Sequence, residues 1–162
     1  MARSDHEVGV LMRRAAYVRR ADLQACVKVP HLNVYPFELE AFVRGVVDTP
    51  FPRRIYLREL AHSAKTLYGR PLVEKMTAPP IGTLDLVQEV RFNLGRAFSA
   101  VMSYRGGDRK IALWQFSKSC LFATRAVEIF ALQAFPVEYD DIAKSAKRLP
   151  LGRYHSLVQR AW

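Results

Sequence analysis

Cysteine is scarce, acidic residues are outnumbered and long apolar runs are missing. Only Cys26 and Cys120 occur, far apart and without a ligand-like neighbour. That excludes a disulfide-stapled scaffold and predicts two reduced thiols in a cytoplasmic protein. No stretch approaches the roughly 20 apolar residues of a membrane-spanning helix, so no membrane partner is expected. The opening Met1-Ala2-Arg3-Ser4-Asp5-His6-Glu7 has no apolar core behind a basic patch and predicts no secretory signal. His6, His31, His62 and His155 are scattered, and neither cysteine has metal-ligand spacing to any of them, so no metal site is expected. Phosphate-cradling glycine loops are also missing. Arg105-Gly106-Gly107-Asp108 falls between two helical segments rather than after a strand, which makes it a turn.

Half of the residues are apolar, and nine Phe, seven Tyr and two Trp supply large packing area. One core, or two small packed halves, follows, and disorder does not. Twenty-five Lys and Arg against fifteen Asp and Glu leave a formal charge of +10. A balance of this sign favours a polyanion, either nucleic acid or the phosphates of a nucleotide, and equally suits an acidic protein surface.

Along the chain, Val8, Leu11, Ala15 and Val18 recur at three or four residues and predict a helix over His6–Arg20. Leu23–Val29 has strand composition, and Pro30 separates it from a second extended piece, His31–Tyr35. Pro36 suits a first helical position, with Phe37, Leu39, Phe42, Val43 and Val46 forming an apolar face that ends near Asp48-Thr49-Pro50. Pro52 opens another helix through about Lys65, followed by an extended Leu67-Tyr68 and a turn at Gly69. Thr77-Ala78-Pro79-Pro80-Ile81-Gly82 reads as the linker between a region 1–80 and a helical bundle 81–162. Thr83 as N-cap and Asp85 near the dipole's positive end start a helix to about Tyr104, with Val87, Val90, Leu94, Ala97, Phe98 and Val101 on one face. Asp108 caps a second long helix to Phe135, in which Ile111, Trp114, Cys120, Leu121, Val127 and Phe130 keep helical spacing. The short turn forces an antiparallel hairpin, and its broad apolar faces predict more than one neighbour. A third helix from Asp140 or Asp141 carries Ile142, Ala146 and Leu149, and a last basic helix spans Arg153–Trp162. The fold class is therefore α+β, a small N-terminal sheet with helices followed by an all-helical bundle.

Leu32-Asn33-Val34-Tyr35-Pro36, then Phe51 to Tyr56, then Lys65-Thr66-Leu67-Tyr68-Gly69-Arg70 resemble the latter part of the nucleotidyltransferase fold of the DNA polymerase β type, shared by minimal and aminoglycoside-type members. Lys144 to Leu157, with Arg148-Leu149-Pro150, is similar to the helical tail of aminoglycoside adenylyltransferases and to the related HEPN bundles. The resemblance covers residues 21 to 160. It implies a magnesium-dependent transferase with a Gly-Ser loop and an Asp-x-Asp pair, and this sequence departs from that pattern at both. Only Asp22 matches a carboxylate position, and Asn33 stands where a third is expected. Without two carboxylates the divalent ions have little to hold them. The expectation is a degenerate or truncated copy that binds nucleic acid, a nucleotide or a protein partner and needs no cofactor. An active, magnesium-dependent enzyme would need its site completed by missing residues or another subunit. A HEPN-type ribonuclease is a further alternative, because six residues separate Arg148 from His155, although Pro150 and Gly152 interrupt any helix that would present both.

The candidate catalytic residues are thus Asp22, Arg148 and His155. The candidate phosphate contacts are Arg13, Arg14, Arg19 and Arg20; Arg53 and Arg54; Arg105, Arg109 and Lys110; and Lys144, Lys147, Arg148 and Arg153. Tyr17, Tyr56, Tyr104 and Tyr154 lie near these clusters as candidate base-stacking platforms. A homo-oligomer is compatible with all of these readings.

Overall fold

The computed structural model describes residues 6–49 and 51–161. Met1 to Asp5, Pro50 and Trp162, where the sequence predicts the chain's start, a helix stop and the end of the last helix, lie outside the described residues. The architecture is α+β, a small two-stranded parallel sheet followed by helices. The chain forms two compact units, Met1–Pro50 and Phe51–Trp162.

In the first unit β1 (His6–Met12) lies parallel to β2 (Leu32–Glu38), with Val8 opposite Val34 and Leu11 opposite Phe37. Parallel neighbours need a crossover. Here it is a 3₁₀ turn at Arg14–Ala16 followed by helix α1 (Arg20–Ala25). The predicted helix over His6–Arg20 and strand over Leu23–Val29 are therefore corrected: the strand comes first and the helix second. Val8 and Val10 are β-branched and alternate, which suits a strand. A Cβ at Gly9 would sit 3.0 Å from the Phe37 ring, so a side chain there would have to push that ring aside by a few tenths of an ångström.

Gln24 covers the open edge of β2. Its amide nitrogen donates to the Leu32 carbonyl at 3.0 Å, and its amide oxygen accepts from the Val34 N–H at 2.8 Å. A third strand would make the same pair of bonds, so the edge is closed to other chains there. Pro36 lies inside β2 rather than at a first helical position. Backbone groups alternate in direction along a strand, so Pro36 shares the outward side of Leu32 and Val34, and its missing N–H costs no bond to β1. Helix α2 (Leu39–Val43) is accordingly shorter than its apolar spacing predicts, and Val43 and Val46 are exposed. Val34, Phe37 and Phe42 are the buried core of this unit, the two phenyl rings 5.8 Å apart.

The second unit opens with α3 (Arg53–Ser63) behind Pro52, as predicted. A 3₁₀ turn at Val73–Lys75 and the Thr77–Gly82 linker lead to α4 (Thr83–Arg105). Gly82, not Thr83, is the N-cap, and the Asp85 carboxylate accepts from its N–H at 2.8 Å. Gly106 and Gly107, the latter at φ 89°, turn the chain into α5 (Arg109–Leu132). Asp108 caps α5 as predicted, accepting from the Ile111 N–H at 3.0 Å. Gln133 ends it in the left-handed region, three residues before Pro136. Helix α6 (Tyr139–Ser145), 3₁₀ turns at Ala146–Arg148 and Gly152–Tyr154, and α7 (His155–Ala161) complete the unit. The two long helices pack antiparallel, and α6 and α7 rest on α5. Leu121, Ile142, Ala146 and Val158 form the buried apolar centre, with Phe122, Tyr139 and Leu151 against it. No helix among the described residues is long and apolar enough to cross a membrane.

Candidate functional site

The structure scatters the residues that the sequence singles out. Asp22 lies on α1, not on a strand, and accepts from Arg19 Nε at 3.1 Å in an ion pair whose side chains are 55% and 84% exposed. Arg19, the N-cap of α1, and Asp22 in its first turn are three residues apart and meet locally. Arg20 spends its charge on the Tyr35 ring, 4.1 Å from the centroid. Arg13 and Arg14, at the neighbouring 3₁₀ turn, are exposed. Leu67 and Tyr68 of the Leu-Tyr-Gly stretch stand almost fully in solvent, with Gly69 at φ 91°.

Arg148 and His155 do not share a helix. Arg148 ends the 3₁₀ turn at Ala146–Arg148, Gly152 takes φ 53° between them, and His155 begins α7. The His155 Nε2 is buried without a hydrogen-bond partner. Arg148 instead joins Lys144, Asp141, Ser145 and the Ala134–Pro136 segment around a shallow depression of about 430 Å³. Lys144 approaches Asp141 at 3.9 Å, both exposed. Lys147 and Arg153 are exposed, and Arg153 donates to the Tyr154 hydroxyl at 2.9 Å.

At the opposite end of α5 the hairpin turn carries Arg105, Arg109 and Lys110, all exposed, with the Arg109 guanidinium 6.0 Å from the exposed Tyr104 ring. The 24 residues of α5 hold this tip and the depression roughly 36 Å apart. Arg53 is exposed at the start of α3, and Arg54 pairs with Asp85 at 3.7 Å.

A different cluster forms where apolar residues are expected. Arg125 of α5, 3% exposed, donates to Glu59 of α3 at 3.0 Å and to Glu89 of α4 at 3.3 Å. Asn93 donates to the Glu89 carbonyl at 2.9 Å, and Glu128 is fully buried one turn beyond Arg125. Desolvation pushes the Glu128 pKa up to about 7, against the pull of the Ser145 hydroxyl and the Arg125 charge. Desolvation likewise raises Glu89, with Arg125 opposing it, and lowers the Arg96 guanidinium. Aromatic rings complete the surroundings. The Arg96 guanidinium sits 5.0 Å from the Phe92 ring and 5.6 Å from Phe51, and that of Arg125 sits 4.5 Å from Phe122.

The sequence reading misses this cluster. Its signal is present: Glu89, Asn93, Arg96 and Ala100 fall at i, i+4, i+7 and i+11, one helical face set beside the apolar one. Chemically the cluster is a dry ion network. A carboxyl titrating near neutrality can exchange a proton at physiological pH, but Glu128 has no exposed surface through which a substrate could reach it. Arg125 ties α3, α4 and α5 together, which is a bracing role. Among the described residues no group of three His, Cys, Asp or Glu side chains converges as metal ligands would. No family model, curated protein or solved structure matches the chain.

Proposed function

We propose that this protein acts by holding a polyanion, a nucleic acid above all, rather than by transforming a substrate. The observation that carries the proposal is how charge is sorted between interior and surface. Of the acidic side chains, Glu89 and Glu128 are buried, Glu59 is held on Arg125, and Asp85 caps α4 beside Arg54. Glu74 is turned onto Thr66, accepting from its N–H at 2.7 Å and its hydroxyl at 2.6 Å. Among the described basic side chains only Arg125 is buried. The surface is therefore at least as cationic as the formal +10 of the whole chain.

Two places in the second unit suit phosphate contact: the hairpin tip of Arg105, Arg109 and Lys110, and the depression with Lys144 and Arg148. A single partner touching both must be extended, since α5 separates them by its own length. The resemblance to nucleotidyltransferases enters as scaffold and partner class. Magnesium-dependent transfer would need carboxylates beyond Asp22, which is paired with Arg19 on an exposed helix.

The test is fluorescence anisotropy with labelled 20-nucleotide RNA and DNA at 50 to 200 mM salt. Affinity is expected to fall steeply with salt as counterions are released, and substituting Arg105 or Arg148 with alanine should lower the log–log slope by about 1 each. Absent binding at 50 mM salt, or binding indifferent to salt, would overturn the reading.

A further inference from the structure

The apolar side of the α4–α5 hairpin is largely exposed. On α4, Val87, Val90, Leu94, Ala97, Val101 and Tyr104 follow one another at alternating steps of three and four residues. On α5, Leu113, Phe116, Cys120, Ala123, Val127 and Phe130 do the same. Both series therefore average 3.5 residues per turn, the a and d positions of a heptad that suits supercoiled helix packing better than a straight 3.6-residue stripe. On α4 the non-alanine members are 41% to 60% exposed, and on α5 Leu113 and Phe130 reach 68% and 66%.

The two stripes share one side of the hairpin. Buried Ala100 on α4 and buried Ala112, Ser119 and Ala126 on α5 line the seam where the helices meet. At 100° per residue each heptad stripe lies about a quarter turn from that line, and opposite chain directions swing both quarter turns the same way. Glu89 falls on the buried line of α4 with Ala100, and Arg125 of α5 bonds it and Glu59 of α3.

We infer that the occupant of this face is a second copy of the chain, two hairpins apposing their heptad stripes as a symmetric four-helix bundle. Three observations select it. The partner must bring two matched apolar heptad stripes, and this chain carries such a pair, as an isologous interface requires. No stripe position is charged, so self-apposition buries no like charges at its centre. The area also suffices: at roughly 150–250 Å² for a fully exposed aromatic and less for an aliphatic, the stripes offer on the order of 1,000 Å², against about 800 Å² per partner in a standard interface and 300–600 Å² for the largest patch on a typical monomer.

Light scattering coupled to size exclusion of the full chain at 10 and 100 µM tests this. The expected mass is twice 18.5 kDa. Leu94→Glu combined with Phe130→Glu, both at exposed positions, should weaken association at least 100-fold while leaving the helical circular dichroism unchanged. Arg91 and Arg105 stand exposed beside the stripes, so raising salt to 0.5 M should hold or tighten the dimer, opposite to its effect on polyanion binding. If the double variant loses its fold, the unmodified chain still decides through its thiols. Cys120, inside the stripe, should react with a thiol reagent more slowly as concentration rises, while exposed Cys26 reacts at a constant rate. A single-chain mass at 100 µM, a folded double variant that stays dimeric, or Cys120 reactivity independent of concentration would overturn the inference.

Discussion

The two sides of the α4–α5 hairpin reverse the usual sorting of side chains. Its buried residues include Glu89, Asn93, Arg125 and Glu128, and its exposed ones include Val87, Leu94, Phe98 and Phe130. Hydrophobic burial is the dominant drive in folding, but what a helix face buries depends on the neighbours it has. Inside, Arg125 bonds Glu59 and Glu89, while both carboxylate oxygens of Glu128 are buried without a hydrogen-bond partner; outside, the apolar side chains stand in solvent. On the dimer proposal, the exposed heptads of the two long helices are where a second copy packs.

The largest expected break in this comparison comes from Arg125→Ala. It strands Glu89 in the interior without its counter-charge and should cost about 3–5 kcal/mol, read as a fall in the urea midpoint. A loss below about 1 kcal/mol would mean that the carboxylates relax into water and that the brace is incidental.

Glu128→Gln sharpens the same contrast through pH. Burial raises this carboxyl from 4.5 to about 7, so the folded chain holds the proton more tightly than the unfolded one. Its stability penalty is absent below pH 4.5, grows as pH rises through the window to about 7, and is constant above it. The glutamine variant should therefore match the parent near pH 4 and exceed it by up to about 3 kcal/mol at pH 8. Denaturant titrations at both pH values check the difference, and parallel pH profiles would contradict it.

The smallest effect belongs to the outward side. Leu94→Ala, at a position 57% exposed, should change the stability of dilute single chains by less than about 0.5 kcal/mol. Its effect should grow with protein concentration if the face is covered by a second copy.

The second unit was far more legible in the sequence than the first. Pro79-Pro80, Asp85, Gly106-Gly107 and Asp108 punctuate α4 and α5 because each acts through local backbone chemistry, and helices of 23 and 24 residues display their period many times. In the first unit, β1 and α1 have seven and six residues, too few for a period of 2 to be told from one of 3.6. Val8 and Leu11 fit a helix as well as Val8 and Val10 fit a strand. Only the distant pairing with β2 and the Gly9–Phe37 contact choose between them, and neither is visible locally. The buried polar cluster was missed for a related reason. Scanning for apolar stripes finds Val87–Val101 correctly but cannot say which side is covered, and the polar series Glu89, Asn93 and Arg96 passes for a solvated face until Arg125 arrives from α5.

Arg125 also reaches backwards past the Thr77–Gly82 linker, since Glu59 belongs to α3 while its other anchors follow that linker. Arg58 reaches forward to the Pro79 carbonyl at 3.2 Å, and the His62 ring stacks 5.6 Å from Phe135. Covalent continuity at the diproline stretch is thus redundant for holding α3 in place. A protease that nicks there should leave two fragments that still elute together and separate only in denaturant.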